Sequence, residues 1–112
     1  MILVVVADYL RGELLMEGLK GFQVKLCRDA YEALDSMQGV NLVFLDYALP
    51  AANGTALLHE MASDEQLMRV PIVLLADTPP EIDMEIYNID SILATKEATT
   101  ERLRRIAGQY AE

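Results

Sequence analysis

Five short apolar runs divide the chain: Ile2–Val6, Gln23–Leu26, Asn41–Leu45, Pro71–Leu75 and Ser91–Ala94. Most are continuously apolar rather than alternating, the pattern of strands covered on both faces. Helical patterns separate them. Leu10, Leu14, Leu15 and Leu19 predict one apolar stripe. Asp29 and Glu32 form a capping-box pattern ahead of Ala30, Ala33, Leu34 and Met37. Ala56, Leu57, Leu58 and Met61 predict a third helix. Leu103, Ile106 and Tyr110 predict a last one, entered through Thr99 or Thr100. Strict alternation of strand and helix implies a parallel sheet with right-handed crossovers and helices on both faces. With five strands in a single domain spanning 1–112, the expected architecture is α/β and flavodoxin-like, with strand order 2-1-3-4-5. Its crevice opens between strands one and three, where the order reverses.

The fourth crossover is the weak link. Asp77-Thr78-Pro79-Pro80 breaks structure after strand four. Ile82, Ile86 and Ile89 could form a short stripe, yet the segment carries five acids, Asp77, Glu81, Asp83, Glu85 and Asp90, and no base. A short or distorted fourth helix is expected.

Composition removes several function classes. The net charge of −9 repels phosphate backbones and argues against direct nucleic-acid binding. One cysteine, Cys27, forbids an internal disulfide, and with a single histidine, His59, no Cys/His zinc cluster can be built. Cys27 reads as a small buried hydrophobe and His59 as a solvated helix residue. A reducing, cytoplasmic setting fits. Ile2–Val6 is too short to span a bilayer and lacks the basic residues that precede a signal sequence, so no membrane role is expected. Ala7-Asp8-Tyr9-Leu10-Arg11 is no flavin phosphate loop, a P-loop is missing, and no Ser-His-Asp or paired-carboxylate hydrolase is readable.

What remains is Asp46, which ends the run Leu42-Val43-Phe44-Leu45, with Pro50 four and Gly54 eight residues further on. The sheet order brings Asp46 and Asp8 to the same end of the domain. The block Asn41–Gly54 resembles the strand-three block of the receiver (CheY-like) domains of two-component response regulators. Ile2-Leu-Val-Val, Ala30-Tyr-Glu-Ala-Leu34, Pro71-Ile-Val-Leu-Leu75 and Lys96 are similar to other parts of that pattern, so the resemblance covers the whole chain. It implies a phosphoacceptor role for Asp46, which would take a phosphoryl group from a histidine kinase in a phosphorelay. It also implies Mg²⁺ held by neighbouring acids, and a lysine, Lys96, pairing with the phosphoryl group.

The sequence departs from that pattern in specific parts. Val6 and Ala7 stand where the family has its two acids, and Asp8 lies one residue beyond them. Ala76 stands at the position of the switching hydroxyl and Leu93 at that of the mobile aromatic ring. Asp46 therefore has two readings, a phosphoacceptor or a relic carboxylate paired with Lys96. Asp8 likewise could be a metal ligand beside Asp46 or the N-cap of the first helix. The expected metal site is weak or absent, and no catalytic residue or cofactor is expected, Mg²⁺ entering only with phosphorylation. The expected function is that of an atypical or pseudo-receiver, a non-enzymatic protein–protein interaction module independent of phosphorylation. The alternative is a phosphorylatable receiver accepting phosphate on Asp46. Arg102, Arg104 and Arg105 give the last helix a basic face that could receive a partner, such as a histidine kinase or an output domain. Self-association is expected to be weak or nil.

Overall fold

The computed structural model describes residues 1–110, so the last two residues of the expected 1–112 domain lie outside the described residues. Strands β1 (Ile2–Val5), β2 (Val24–Cys27), β3 (Leu42–Asp46), β4 (Ile72–Leu75) and β5 (Ile89–Leu93) form one sheet in the order β2-β1-β3-β4-β5. All neighbours pair in parallel. This is the flavodoxin-like order expected from the alternation of elements.

Side chains alternate across the pleat. Leu3, Val5, Val43, Leu45, Ile72 and Leu74 point to one face, where α2 (Ala30–Asp35) and α3 (Asn53–Ala62) add Ala33, Leu57, Leu58 and Met61. Ile2, Val4, Leu42, Phe44, Val73 and Leu75 point to the other. There α1 (Tyr9–Gly18) and α4 (Thr100–Tyr110) supply Leu15, Leu103, Ile106 and Ala107. The three central strands are buried throughout, apart from nothing more than the rim of Asp46. Each such Leu, Val or Phe contributes about 1.5–3 kcal/mol by leaving water.

Two expectations change. The stripe on α1 is not Leu10, Leu14, Leu15 and Leu19, because Leu10 and Leu14 are 66% and 65% exposed. The helix buries Gly12, Leu15 and Gly18 instead, followed by Leu19. The glycines let it approach closely: a Cβ at Gly12 would meet the Leu26 methyls at 3.3 Å. The fourth crossover, residues 76–88, holds no helix at all. Pro79 and Pro80 withhold amide donors, and the acids that follow have no basic partner one turn away. Ile82 and Tyr87 pack on the core in the helix's place, Ile86 faces solvent, and Ile89 opens β5.

The spacing from Asp46 to Gly54 has a steric cause. A Cβ at Gly54 would sit 2.7 Å from the Tyr47 carbonyl oxygen and 3.3 Å from that of Asp46. Glycine thus lets the first turn of α3 rest on the backbone that leaves β3. We expect Gly54→Ala to cost about 1–3 kcal/mol through this backbone clash. Gly108→Ala, in α4 with nothing within 4 Å of its Cβ, should gain about 0.5–1 kcal/mol. Urea midpoints at constant m-value read both; equal responses at the two glycines would refute the steric account.

Candidate functional site

A parallel sheet presents the carboxyl ends of its strands to one crevice. Here that end carries Asp8 after β1, Asp46 at the tip of β3, Asp77 after β4 and Thr95 after β5. Asp46 is buried, 7% exposed. Its Oδ1 accepts a 3.0 Å hydrogen bond from the Ala48 amide, and its Oδ2 lies 3.5 Å from Arg11 Nη1. Arg11 comes from the first turn of α1. There its charge opposes the helix dipole, so the position is tolerable chiefly because a carboxylate faces it.

The same guanidinium reaches further. Arg11 Nη2 donates to Thr95 Oγ1 at 3.0 Å. The Thr95 hydroxyl in turn donates to Asp77 Oδ2 at 2.7 Å, and the Thr95 amide donates to Asp77 Oδ1 at 2.6 Å. The pairing of β4 with β5 explains the last contact. Leu75 lies opposite Leu93, so Asp77 and Thr95, two residues beyond each, meet across the strand ends. A carboxylate–guanidinium–hydroxyl–carboxylate chain therefore ties β3, α1, β5 and β4 together. These donors, the Thr95 amide foremost, hold the Asp77 carboxyl below the usual aspartate range. A small crevice of about 160 Å³ lies beside the chain, lined by Arg11, Asp46, Tyr47, Ala48, Ala76, Asp77 and Thr78.

No family model and no curated protein matches the sequence. Solved structures do. The chemotaxis response regulator CheY4 of Vibrio cholerae superimposes with a TM-score of 0.79 at 21% identity, over 96% of this chain and 95% of that one. A phosphorylated cyanobacterial phytochrome response regulator, RcpA, gives 0.77 at 22% identity, over 97% and 91%. The Mn²⁺-bound response regulator Rcp1 gives 0.73 at 24% identity, over 96% and 91%.

The fold is that of a response-regulator receiver domain.

Asp46, the residue that the sequence resemblance would make the acceptor, lies at the end of β3. Lys96 does not reach it. Among the described residues, the ion pairs are Arg11–Asp46 and Arg105–Glu101, and Lys96 enters neither. A 3₁₀ turn, Thr95–Glu97, closes as soon as β5 ends and leaves Lys96 exposed. The Glu97 carboxylate caps that turn by accepting the Ala94 amide at 2.9 Å. The expected Asp46–Lys96 pair is thus replaced by Asp46–Arg11, because the turn redirects the lysine. The arginine carried a readable signal, a cation in the first turn of a helix.

Asp8 caps α1: its Oδ1 accepts from the Leu10 amide at 2.9 Å and the Arg11 amide at 3.3 Å. Val6 is buried in the core, and Ala7 offers its carbonyl, 3.4 Å from Arg28 Nη1. Ala76 and Leu93 pair through backbone, Ala76 N to Leu93 O at 2.9 Å, and bring no hydroxyl and no ring to the crevice.

The donor set does not fit a divalent cation. Mg²⁺ asks for several hard oxygens in octahedral array, whereas the three carboxylates at this end of the sheet are already engaged, Asp46 by a guanidinium, Asp8 by the amides of α1 and Asp77 by Thr95. Among the described residues, no group of three or more His, Cys, Asp or Glu side chains could hold a metal ion.

Elsewhere, Cys27 is buried at the end of β2, and burial pushes its thiol pKa up. His59 is not simply solvated: the Tyr87 hydroxyl lies 3.3 Å from its ring nitrogens. The arginines of α4 differ among themselves. Arg104 donates to the Gly18 and Lys20 carbonyls and stacks on Phe22, so it closes the end of α1. Arg105 pairs with Glu101 one turn away, and Arg102 is exposed.

The Asp77–Thr95 clamp has a pH signature. A carboxyl held below its unfolded-state value stabilises the fold above that value and loses this contribution as pH falls through its folded midpoint. The clamp should therefore persist at neutral pH and open only in acid, below the usual aspartate range. Thr95→Val deletes the hydroxyl donor but keeps the amide, so the Asp77 midpoint should move part of the way back up. Carboxyl ¹³C titration by NMR reads it; an unmoved midpoint would remove the hydroxyl from the clamp.

Proposed function

We propose that this chain is an atypical receiver domain of two-component-type signalling that acts by protein–protein contact without phosphorylation of Asp46. One observation carries the reading: the Arg11 guanidinium stands against the Asp46 carboxylate. Phosphoryl transfer to a carboxylate needs charge neutralised on the incoming group by a metal held in place. An arginine already committed to Asp46 and Thr95 is a poor substitute, since a phosphoryl mimic with its cation would have to displace it. At an effective dielectric of ~20, an ion pair at this distance is worth about 5 kcal/mol before desolvation. Ala76 and Leu93 remove the hydroxyl and the ring that report phosphorylation in the family. Under this reading no cofactor is used, the domain binds rather than catalyses, and Asp46 and Arg11 form a structural pair. A free, buried Cys27 suits a reducing cytoplasm. The partner is a protein, such as a histidine kinase or an output domain.

Beryllofluoride with Mg²⁺ mimics an acyl phosphate. We expect amide spectra around Asp46 to stay unchanged at millimolar Mg²⁺, and Arg11→Ala to leave the titration silent as well. Clear shifts in the unsubstituted protein would replace this reading with that of a phosphorylatable receiver.

Self-association should be weak. The acids of Asp77–Asp90 would face one another in a symmetric contact on the β4–β5 side, and Arg104 is already spent within its own protomer. Sedimentation at micromolar concentration should give a monomer; a tight dimer at low salt would contradict this.

A further inference from the structure

The helix-free fourth crossover leaves an opening at the end of the sheet opposite Asp46. A cleft of about 390 Å³ lies between the C-terminal half of α3 (Leu58, Met61), the 3₁₀ turn Leu67–Arg69 and the segment that enters β5 (Ile86, Tyr87). Its floor is the start of β4. This volume lies within the ~300–1,000 Å³ range of clefts that take ligand groups.

Two of its lining side chains are apolar and exposed, Met68 at 51% and Ile86 at 61%. Methionine adapts its shape to whatever packs on it, which suits a binding surface better than a core. The walls are nevertheless fixed. The Ile72 amide donates to the Asn88 carbonyl at 2.9 Å, and Asn88 Nδ2 donates to the Arg69 carbonyl at 3.1 Å. Tyr87 is buried against His59, with ring centroids 5.6 Å apart. The cleft is thus preformed, which lowers the ordering cost of binding.

Charge selects the occupant. Asp64, Glu65, Glu81, Asp83 and Glu85 are all exposed in the two segments that bound the cleft, against the single base Arg69. We infer that this cleft is a docking site for a cationic amphipathic helix of a partner protein. Its apolar side chains enter between Met68 and Ile86, and its lysines or arginines face the acidic rim. The inference rests on the reading of the domain as an interaction module and names the chemistry of what it binds. A second acidic copy of this chain is disfavoured by the same rim.

A labelled amphipathic peptide, leucines on one face and lysines on the other, is titrated into the full chain with amide spectra recorded. Oligolysine of equal length and a glutamate-for-lysine version are the controls. Expected shifts gather on Leu58, Met61, Met68, Ile86 and Asn88. Affinity should fall at least tenfold for oligolysine, for the glutamate version, and for Met68→Ser or Ile86→Ser. Both replaced side chains are exposed, so the fold survives, and an unchanged thermal midpoint verifies that. Affinity should also fall with salt.

Diffuse shifts, equal binding of oligolysine, or indifference to both substitutions overturns the site. A dimer of the chain that Met68→Ser dissolves assigns the cleft to a second copy and overturns the proposed occupant. The same titration is repeated with beryllofluoride and Mg²⁺. Binding only in their presence refutes phosphorylation independence while leaving the cleft standing, whereas failure in both conditions refutes the cleft alone.

Discussion

Everything in this domain depends on a sheet covered on both sides. Phe44 packs with Val4 and Val73 on one face, and Leu45 with Val5 and Leu74 on the other. Strands buried in this way admit no polar side chain along their length, so chemistry can appear only where they stop. Asp46, Asp77 and Thr95 lie at such endings, and Asp8 follows at the next turn. Those positions follow from parallel register rather than from any local preference of the residues themselves.

A carboxylate at such an ending must be answered. Asp46 is nearly withdrawn from water, and an uncompensated charge there would cost several kcal/mol. In the receiver pattern the answer comes from a metal and a lysine. Here it comes from Arg11, whose planar fork also takes the Thr95 hydroxyl. One guanidinium thereby joins elements far apart in sequence. A pair of this burial is weak evidence for added stability, because desolvation offsets much of the attraction. Its plainer effect is geometric: it fixes where the segments after β3, β4 and β5 sit relative to α1.

Strand order, the two-sided core and the place of Asp46 are legible in the sequence, because apolar runs and their alternation with helices decide those features. The face of α1 is not legible, because the helix packs through Gly12 and Gly18 beside Leu15, and buried glycine leaves no hydrophobic signal. A pairing of Lys96 with Asp46, one of the two readings the sequence leaves open, does not form, because the 3₁₀ turn at Thr95–Glu97 turns the lysine outward. Arg11 went unread because a long side chain reaches its partner through space. Only its uncomfortable place in a helix's first turn hinted at one. The fourth crossover predicts a short or distorted helix where none forms, and Tyr87 as the residue filling the gap can be found only in three dimensions.

A switch needs two arrangements of similar free energy and a ligand that prefers one of them. The network from Asp46 through Arg11 and Thr95 to Asp77 supplies one arrangement, in which both carboxylates face a donor or a cation. Among the described residues, no buried side-chain nitrogen or oxygen lacks a partner. A second arrangement would have to separate Arg11 from Asp46 and leave a buried carboxylate without its cation unless a new one arrived with it. Ala76 offers no hydroxyl to capture an incoming oxygen, and Leu93 has no ring to carry the movement outward. On the proposed reading, then, regulation lies outside the domain. The surface it presents is constant, and the signal is whether a partner is there to meet it.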